Sequence, residues 1–132
     1  MRGDVLDLPF DDGSFDACTV GFGMRNVSDV SQAFSEMRRV CRSGGRVVCL
    51  EITRPRVPGF KQFYGVWFDR VVPHLGRLTA RNGDAYRYLP LSVRRFPDPG
   101  GLSRIMEGAG LVEPRYEIVA GGIIAIHHAF VE

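Results

Sequence analysis

Lysine is almost absent from this chain. Of its seventeen basic residues only Lys61 is lysine, and the rest are arginine. The arginines are interleaved with fifteen acids, and no basic run builds up. That pattern lacks the clustered cationic face of a nucleic-acid binder, so no nucleic-acid partner is expected. Long hydrophobic runs are missing too: nothing approaches the ~18–20 apolar residues of a membrane-spanning helix. Cysteine is scarce. Cys18, Cys41 and Cys49 have no metal-ligand spacing, and no metal site is expected. Their odd number, their apolar surroundings and the lack of a signal-peptide pattern predict reduced, buried thiols in a cytoplasmic protein. There is no internal repeat and no low-complexity segment. At 132 residues and a net charge of +2, one domain is expected.

What is present reads as an α/β chain. An acidic turn, "GDVLDLPFDDGSFD" (3–16), leads into "FDACTVG" (15–21), a short apolar stretch that predicts a buried strand. "FGMRNVSD" follows as a turn, with Ser28 or Asp29 placed to cap a helix. Val30, Ala33, Phe34, Met37, Val40 and Cys41 recur at helical spacing and predict a helix over 30–42. "SGG" (43–45) reads as its stop, and "RVVCLEI" (46–52) as a second buried strand. Strand, helix and strand make a right-handed parallel crossover.

Prolines at 55 and 58 then break the pattern. Residues 54–97 read as an inserted helical cap beside the carboxyl ends of the strands, with an aromatic-rich stretch at 60–72. The end is regular again. Asp98 and Pro99 predict a helix start, with Leu102, Ile105, Met106 and Ala109 as its buried face and Gly110 as its end. Residues 111–120 and 123–132 predict a β-hairpin about Gly121 and Gly122. Pro114 belongs near a strand start or on an edge.

These motifs, in this order, carry a resemblance. The opening acidic turn resembles the adenine-side loop of S-adenosylmethionine (SAM)-dependent methyltransferases. "GFGMRNVSD", "EMRRVCRSGGRVVCLEI", "DAYRYLPLSVRRFPD" and "GGIIAIHHAF" are together similar to the quinone C-methyltransferases of the UbiE/MenG type. Those enzymes methylate demethylmenaquinone or 2-methoxy-6-polyprenyl-1,4-benzoquinol. The resemblance runs along essentially the whole chain. It implies a partial class I, Rossmann-like methyltransferase fold, with residues 1–132 as the C-terminal portion of a single domain. Ser43 stands where the family usually has Pro, and Gly21 where relatives often carry Ser. The family's first strand, with its glycine-rich loop for the methionine part of SAM, has no counterpart here.

The resemblance also implies roles. Asp4 is expected to accept from the adenine amino group, and the Val5 N–H to donate to a ring nitrogen, with a helix cap or a solvated turn acid as the plain alternative. Gly21 permits close backbone approach beneath the methyl-transfer point. Arg25 and Asn26 are the candidate catalytic residues: the quinol carbon is nucleophilic only as its neighbouring hydroxyl ionises, and a cation stabilises that phenolate. The plain alternative has Arg25 paired with an acid such as Asp29 and Asn26 capping the helix. Tyr86, Tyr88 and His127 are candidate substrate-binding residues. Tyr86 and Tyr88, two apart, cannot share a helix face, so one is expected in the pocket. His127 is alternatively a satisfied core histidine. The aromatic block Phe60, Phe63, Tyr64, Trp67 and Phe68 reads either as core or dimer packing or as the entrance for a prenyl tail.

The implied cofactor is SAM and the implied substrate a polyprenylated quinol, with peripheral contact at the membrane where it dissolves. The missing strands would leave residues 15–21 as an open apolar edge. Self-association or a complementing chain is therefore expected. The alternative to an enzyme is a non-catalytic, methyltransferase-like binding module.

Overall fold

The computed structural model describes residues 2–54, 59, 62, 65, 66, 70, 88 and 91–132. A four-stranded sheet has the order β1-β2-β4-β3. Its strands are β1 (Phe15–Gly21), β2 (Cys41–Ile52), β3 (Val112–Val119) and β4 (Ile124–Phe130). β1 runs parallel to β2, whereas β4 is antiparallel to both β2 and β3. The connection from β1 to β2 is helix α1 (Val30–Val40), and helix α2 (Pro99–Gly108) precedes the hairpin. The predicted crossover and closing hairpin are both present.

Local chemistry explains the boundaries. Asp29, not Ser28, caps α1, its carboxylate accepting from the Gln32 N–H at 2.9 Å. Asp98 caps α2 through the Gly101 N–H at 2.7 Å, with Pro99 at the first helical position. The expected stop at 43–45 is instead paired backbone, and β2 begins earlier than the expected 46. The Gly44 N–H donates to the Val131 carbonyl and the Val131 N–H to that of Gly45. Gly44 has φ +75°, and a Cβ on Gly45 would lie 2.7 Å from the Arg42 carbonyl oxygen. The two glycines thus let the chain double back onto the sheet. Pro114 lies on β3, an edge strand, within a register irregularity between Val112 and Arg115.

Both helices cover one face of the sheet. Ala33, Phe34 and Met37 of α1 and Leu102 and Met106 of α2 close over Val47 and Cys49 of β2 and Ala129 of β4. Phe34 is fully buried, and truncating it to Ala would cost about 3–5 kcal/mol. β1 is different. Its own residues read as a buried strand and the resemblance implied an open edge; every residue of it is exposed or half-buried. It is the sheet edge: Cys18 and Val20 pack against the core, while no described strand pairs with its outer side. An apolar groove of about 350 Å³ runs alongside, lined by residues that include Leu8, Phe15, Cys18 and Val40.

Cys41 and Cys49 are buried and Cys18 half-buried, all three as free thiols. Burial pushes the Cys41 and Cys49 thiols up to about 12. The expected helical insertion falls mostly outside the described residues, as do Tyr86 and all five residues of the aromatic block. Residues 91–95 are helical.

Candidate active site at the carboxyl ends of β1 and β2

The parallel strands β1 and β2 end side by side, with Gly21 opposite Leu50. In open α/β sheets such carboxyl ends are where ligands bind. The chain leaves β1 through Phe22, whose φ of 56° is left-handed. It then makes a single 3₁₀ turn over Met24–Asn26. Met24 is fully buried and anchors that turn, so Arg25 and Asn26 are presented from a fixed base.

Arg25 is held by Glu51, a residue the sequence reading passed over. The Glu51 carboxylate accepts from the Arg25 backbone N–H at 3.2 Å and from Nη1 at 3.0 Å. It accepts from the Ile52 N–H as well, at 3.2 Å. Glu51 is 2% exposed. A buried carboxylate needs this pairing, because desolvation of an uncompensated charge is costly. The expected alternative partner, Asp29, is occupied as the α1 cap. Arg25 Nη1 also donates to the Phe22 carbonyl, while Nε is buried with no protein partner. The signal for Glu51 lay in "VVCLEI": a lone carboxylate inside an apolar strand must have a charge partner.

Asn26 does not cap α1. Its Oδ1 accepts from the Tyr88 hydroxyl at 2.8 Å, so two candidates 62 residues apart meet. With Oδ1 engaged, the amide N–H groups of the exposed Asn26 remain as donors. Tyr88 is half exposed.

The acidic loop is pinned separately. Arg39 donates to the carbonyls of Leu8 and Phe10 and to the carboxylates of Asp12 and Glu36, at 2.7–2.9 Å. Glu36 also accepts from the Leu8 N–H at 2.8 Å. These bonds hold the Glu36 carboxyl down at about 2, Arg39 contributing most and the Leu8 N–H next. Within this loop Asp4 closes its own turn, Oδ1 accepting from the Leu6 N–H at 2.9 Å. Asp4 is exposed, and its second oxygen has no protein partner. The donor set thus suits the edge of a purine: an open carboxylate oxygen beside the backbone N–H of Val5.

His127 lies elsewhere in the arrangement. It is 1% exposed, on the covered face of β4, with Nε2 2.9 Å from the Pro99 carbonyl oxygen. Burial lowers its pKa and keeps it neutral. No group of three or more potential metal ligands occurs among the described residues.

The fold defines the class. The chain superposes on a SAM-dependent methyltransferase from Aquifex aeolicus with a TM-score of 0.64 at 13% identity, covering 100% of this chain and 54% of that one. Human N-acetylserotonin methyltransferase, solved with SAM, matches with a TM-score of 0.62 at 16% identity, covering 99% and 33%. The architecture is therefore a partial Rossmann-like methyltransferase fold.

Residues 1–131 match the ubiE/COQ5 methyltransferase family, and the chain belongs to it. It is 50% identical to the demethylmenaquinone methyltransferase of Roseiflexus castenholzii over 96% of this chain and 53% of that protein. It is 45% identical to the ubiquinone/menaquinone biosynthesis C-methyltransferase UbiE of Methylobacterium nodulans, over 96% and 50%. The Staphylococcus aureus demethylmenaquinone methyltransferase is 43% identical over 100% and 55%. The chain spans about half the length of the curated relatives it matches.

Proposed function

We propose that this chain carries the acceptor-activating part of a SAM-dependent C-methyltransferase acting on a polyprenylated quinol in menaquinone or ubiquinone biosynthesis. The observation that carries this reading is the meeting of Arg25, Glu51, Asn26 and Tyr88 at the carboxyl ends of β1 and β2. The names of the relatives supply the substrate class.

When bound, SAM supplies an electrophilic methyl group on a sulfonium. On this chain Asp4 and Val5 would hold its adenine, and Gly21 would leave room beneath it. The chain's own residues act on the acceptor. A quinol ring carbon attacks only as the adjacent hydroxyl loses its proton, and that oxygen then carries negative charge. Arg25 stabilises that charge, since a guanidinium remains protonated and cannot itself serve as the base. Asn26, fixed by Tyr88, donates to a quinol oxygen or to the water that takes the proton. Tyr86 completes the substrate side in this reading, and His127 supports the site from within. Among the described residues no helix is long and apolar enough to cross a membrane. In this reading the protein is cytoplasmic, and its prenylated substrate requires peripheral contact with the bilayer.

A second reading is favoured by the uncovered edge. An exposed β1 with an adjoining apolar groove suits a module completed by further polypeptide, whether the rest of a longer chain, another copy or a complementing chain. In that case residues 1–132 are the C-terminal portion of a larger methyltransferase domain.

Calorimetric titration of the purified chain with S-adenosylhomocysteine separates the readings. Micromolar binding abolished by Asp4→Ala supports a usable cofactor site, and a soluble quinol analogue should then gain one methyl group by mass spectrometry. A folded chain that neither binds nor methylates sinks the enzymatic reading. Sedimentation as a stable monomer counts against the assembled module.

A further inference from the structure

Glu51 does more than neutralise a charge. It takes three donors, two of them from Arg25, and it sits under the 3₁₀ turn that carries the reacting groups. Behind it lies a cavity of about 10 Å³, bounded by residues that include Glu51, Thr53, Phe96, Pro99 and His127. That volume matches one water molecule. His127 is fully buried and contributes an Nδ1 with no protein partner. Its other nitrogen faces a carbonyl oxygen, which can only accept, so Nε2 carries the proton and Nδ1 is a lone-pair acceptor. The Glu51 carboxylate is also an acceptor. Two acceptors across a one-molecule cavity require a small donor with two O–H groups, and water has that pattern.

We propose that Glu51 is the positioning residue for Arg25, and that one buried water bridging Glu51 to His127 Nδ1 fixes its carboxylate from behind. The chain His127, water, Glu51, Arg25 then sets the direction of the guanidinium. Bonding through Nη1 alone would leave that group free to pivot. The lowered basicity of His127 keeps the bridge in one protonation state at neutral pH. The consequence for turnover rests on the quinol-methylation reading, whereas the geometry of Arg25 does not.

The test is ¹H–¹⁵N NMR of the Arg25 Nε–H group in this chain, assigned by its loss in Arg25→Lys. Glu51→Gln should shift and broaden that signal while distant backbone amides stay in place. His127→Phe should move it in the same direction by less. An Arg25 signal unchanged in Glu51→Gln overturns the positioning role, and one unchanged in His127→Phe overturns the water bridge. If Glu51→Gln does not fold, Glu51→Asp keeps the charge but draws it back by one methylene, and the same shift is expected. Methyl transfer read in parallel should show kcat about a hundredfold lower in Glu51→Gln with the cofactor KM unchanged. An inactive parent chain whose Arg25 signal still responds leaves the positioning role standing and removes the enzymatic reading.

Discussion

Two arginine–carboxylate pairs, one at the turn before α1 and one on α1 itself, are built to different ends. Arg39 is saturated: Nε, Nη1 and Nη2 all donate, to two carboxylates and two carbonyls. Its product is a fixed acidic loop. Arg25 is unsaturated: Nη1 carries both of its side-chain bonds, and Nε is buried without a protein partner. A structural cation uses its whole donor fork. A cation that serves an incoming ligand keeps donors in hand, since a buried polar group left unpaired is otherwise a cost. The contrast supports the proposal that Arg25, and not Arg39, is the working guanidinium.

The largest expected effect breaks that contrast directly. Arg25→Ala should lower kcat for methyl transfer about 10²–10³-fold, as removal of one anion-stabilising donor does elsewhere. Its urea midpoint should move far less than that of Phe34→Ala. Arg39→Ala should do the reverse. It frees the loop at 8–12, lowers the urea midpoint and weakens cofactor binding in calorimetry, while kcat at saturating cofactor stays close to that of the parent. Equal losses of kcat in the two variants would erase the distinction.

Acid should separate buried groups in sequence. His127 has a lowered pKa when folded, so the unfolded chain takes up its proton first, and stability falls as pH drops through the ordinary value near 6.5. Glu36 is depressed from about 4.5 to about 2, so its contribution is whole above about 4.5 and is lost as pH falls toward about 2. Urea midpoints measured from pH 7 to 3 should therefore fall in two stages. His127→Phe should remove the first and Glu36→Gln the second.

Smaller changes sharpen the picture. Tyr88→Phe removes one hydrogen bond at an exposed site, worth about 0.5–1.5 kcal/mol at most. Its expected signature is a raised KM for the quinol analogue with stability nearly unchanged. Alkylation mapped by mass spectrometry should modify Cys18 first at pH 8. Cys41 and Cys49 should resist, because both are buried and both thiols stay protonated.

Legibility in the sequence followed the range of the interaction. Helix α1 was readable because its apolar residues recur every three or four positions beside an aspartate cap, and both signals are local. The hairpin was readable from two β-rich runs about Gly121 and Gly122. Arg25, Asn26 and Tyr88 were singled out through the family resemblance carried by "GMRNV" and "AYRYLP". Their arrangement was not readable. The partner of Arg25 lies 26 residues away on the next strand, and that of Asn26 lies 62 residues away. Neither spacing carries a periodic signal. The exposure of β1 follows the same division: an apolar run reports that a strand is fit to be covered, while its place at the sheet edge is set by strand order.

The amino-acid order alone determined the two helices, the closing hairpin and the family, because those depend on neighbours along the chain. Tertiary structure decided which carboxylate holds which guanidinium. Pairing at that distance is set by strand register: Gly21 stands opposite Leu50, and Glu51 therefore comes up beneath the turn that carries Arg25.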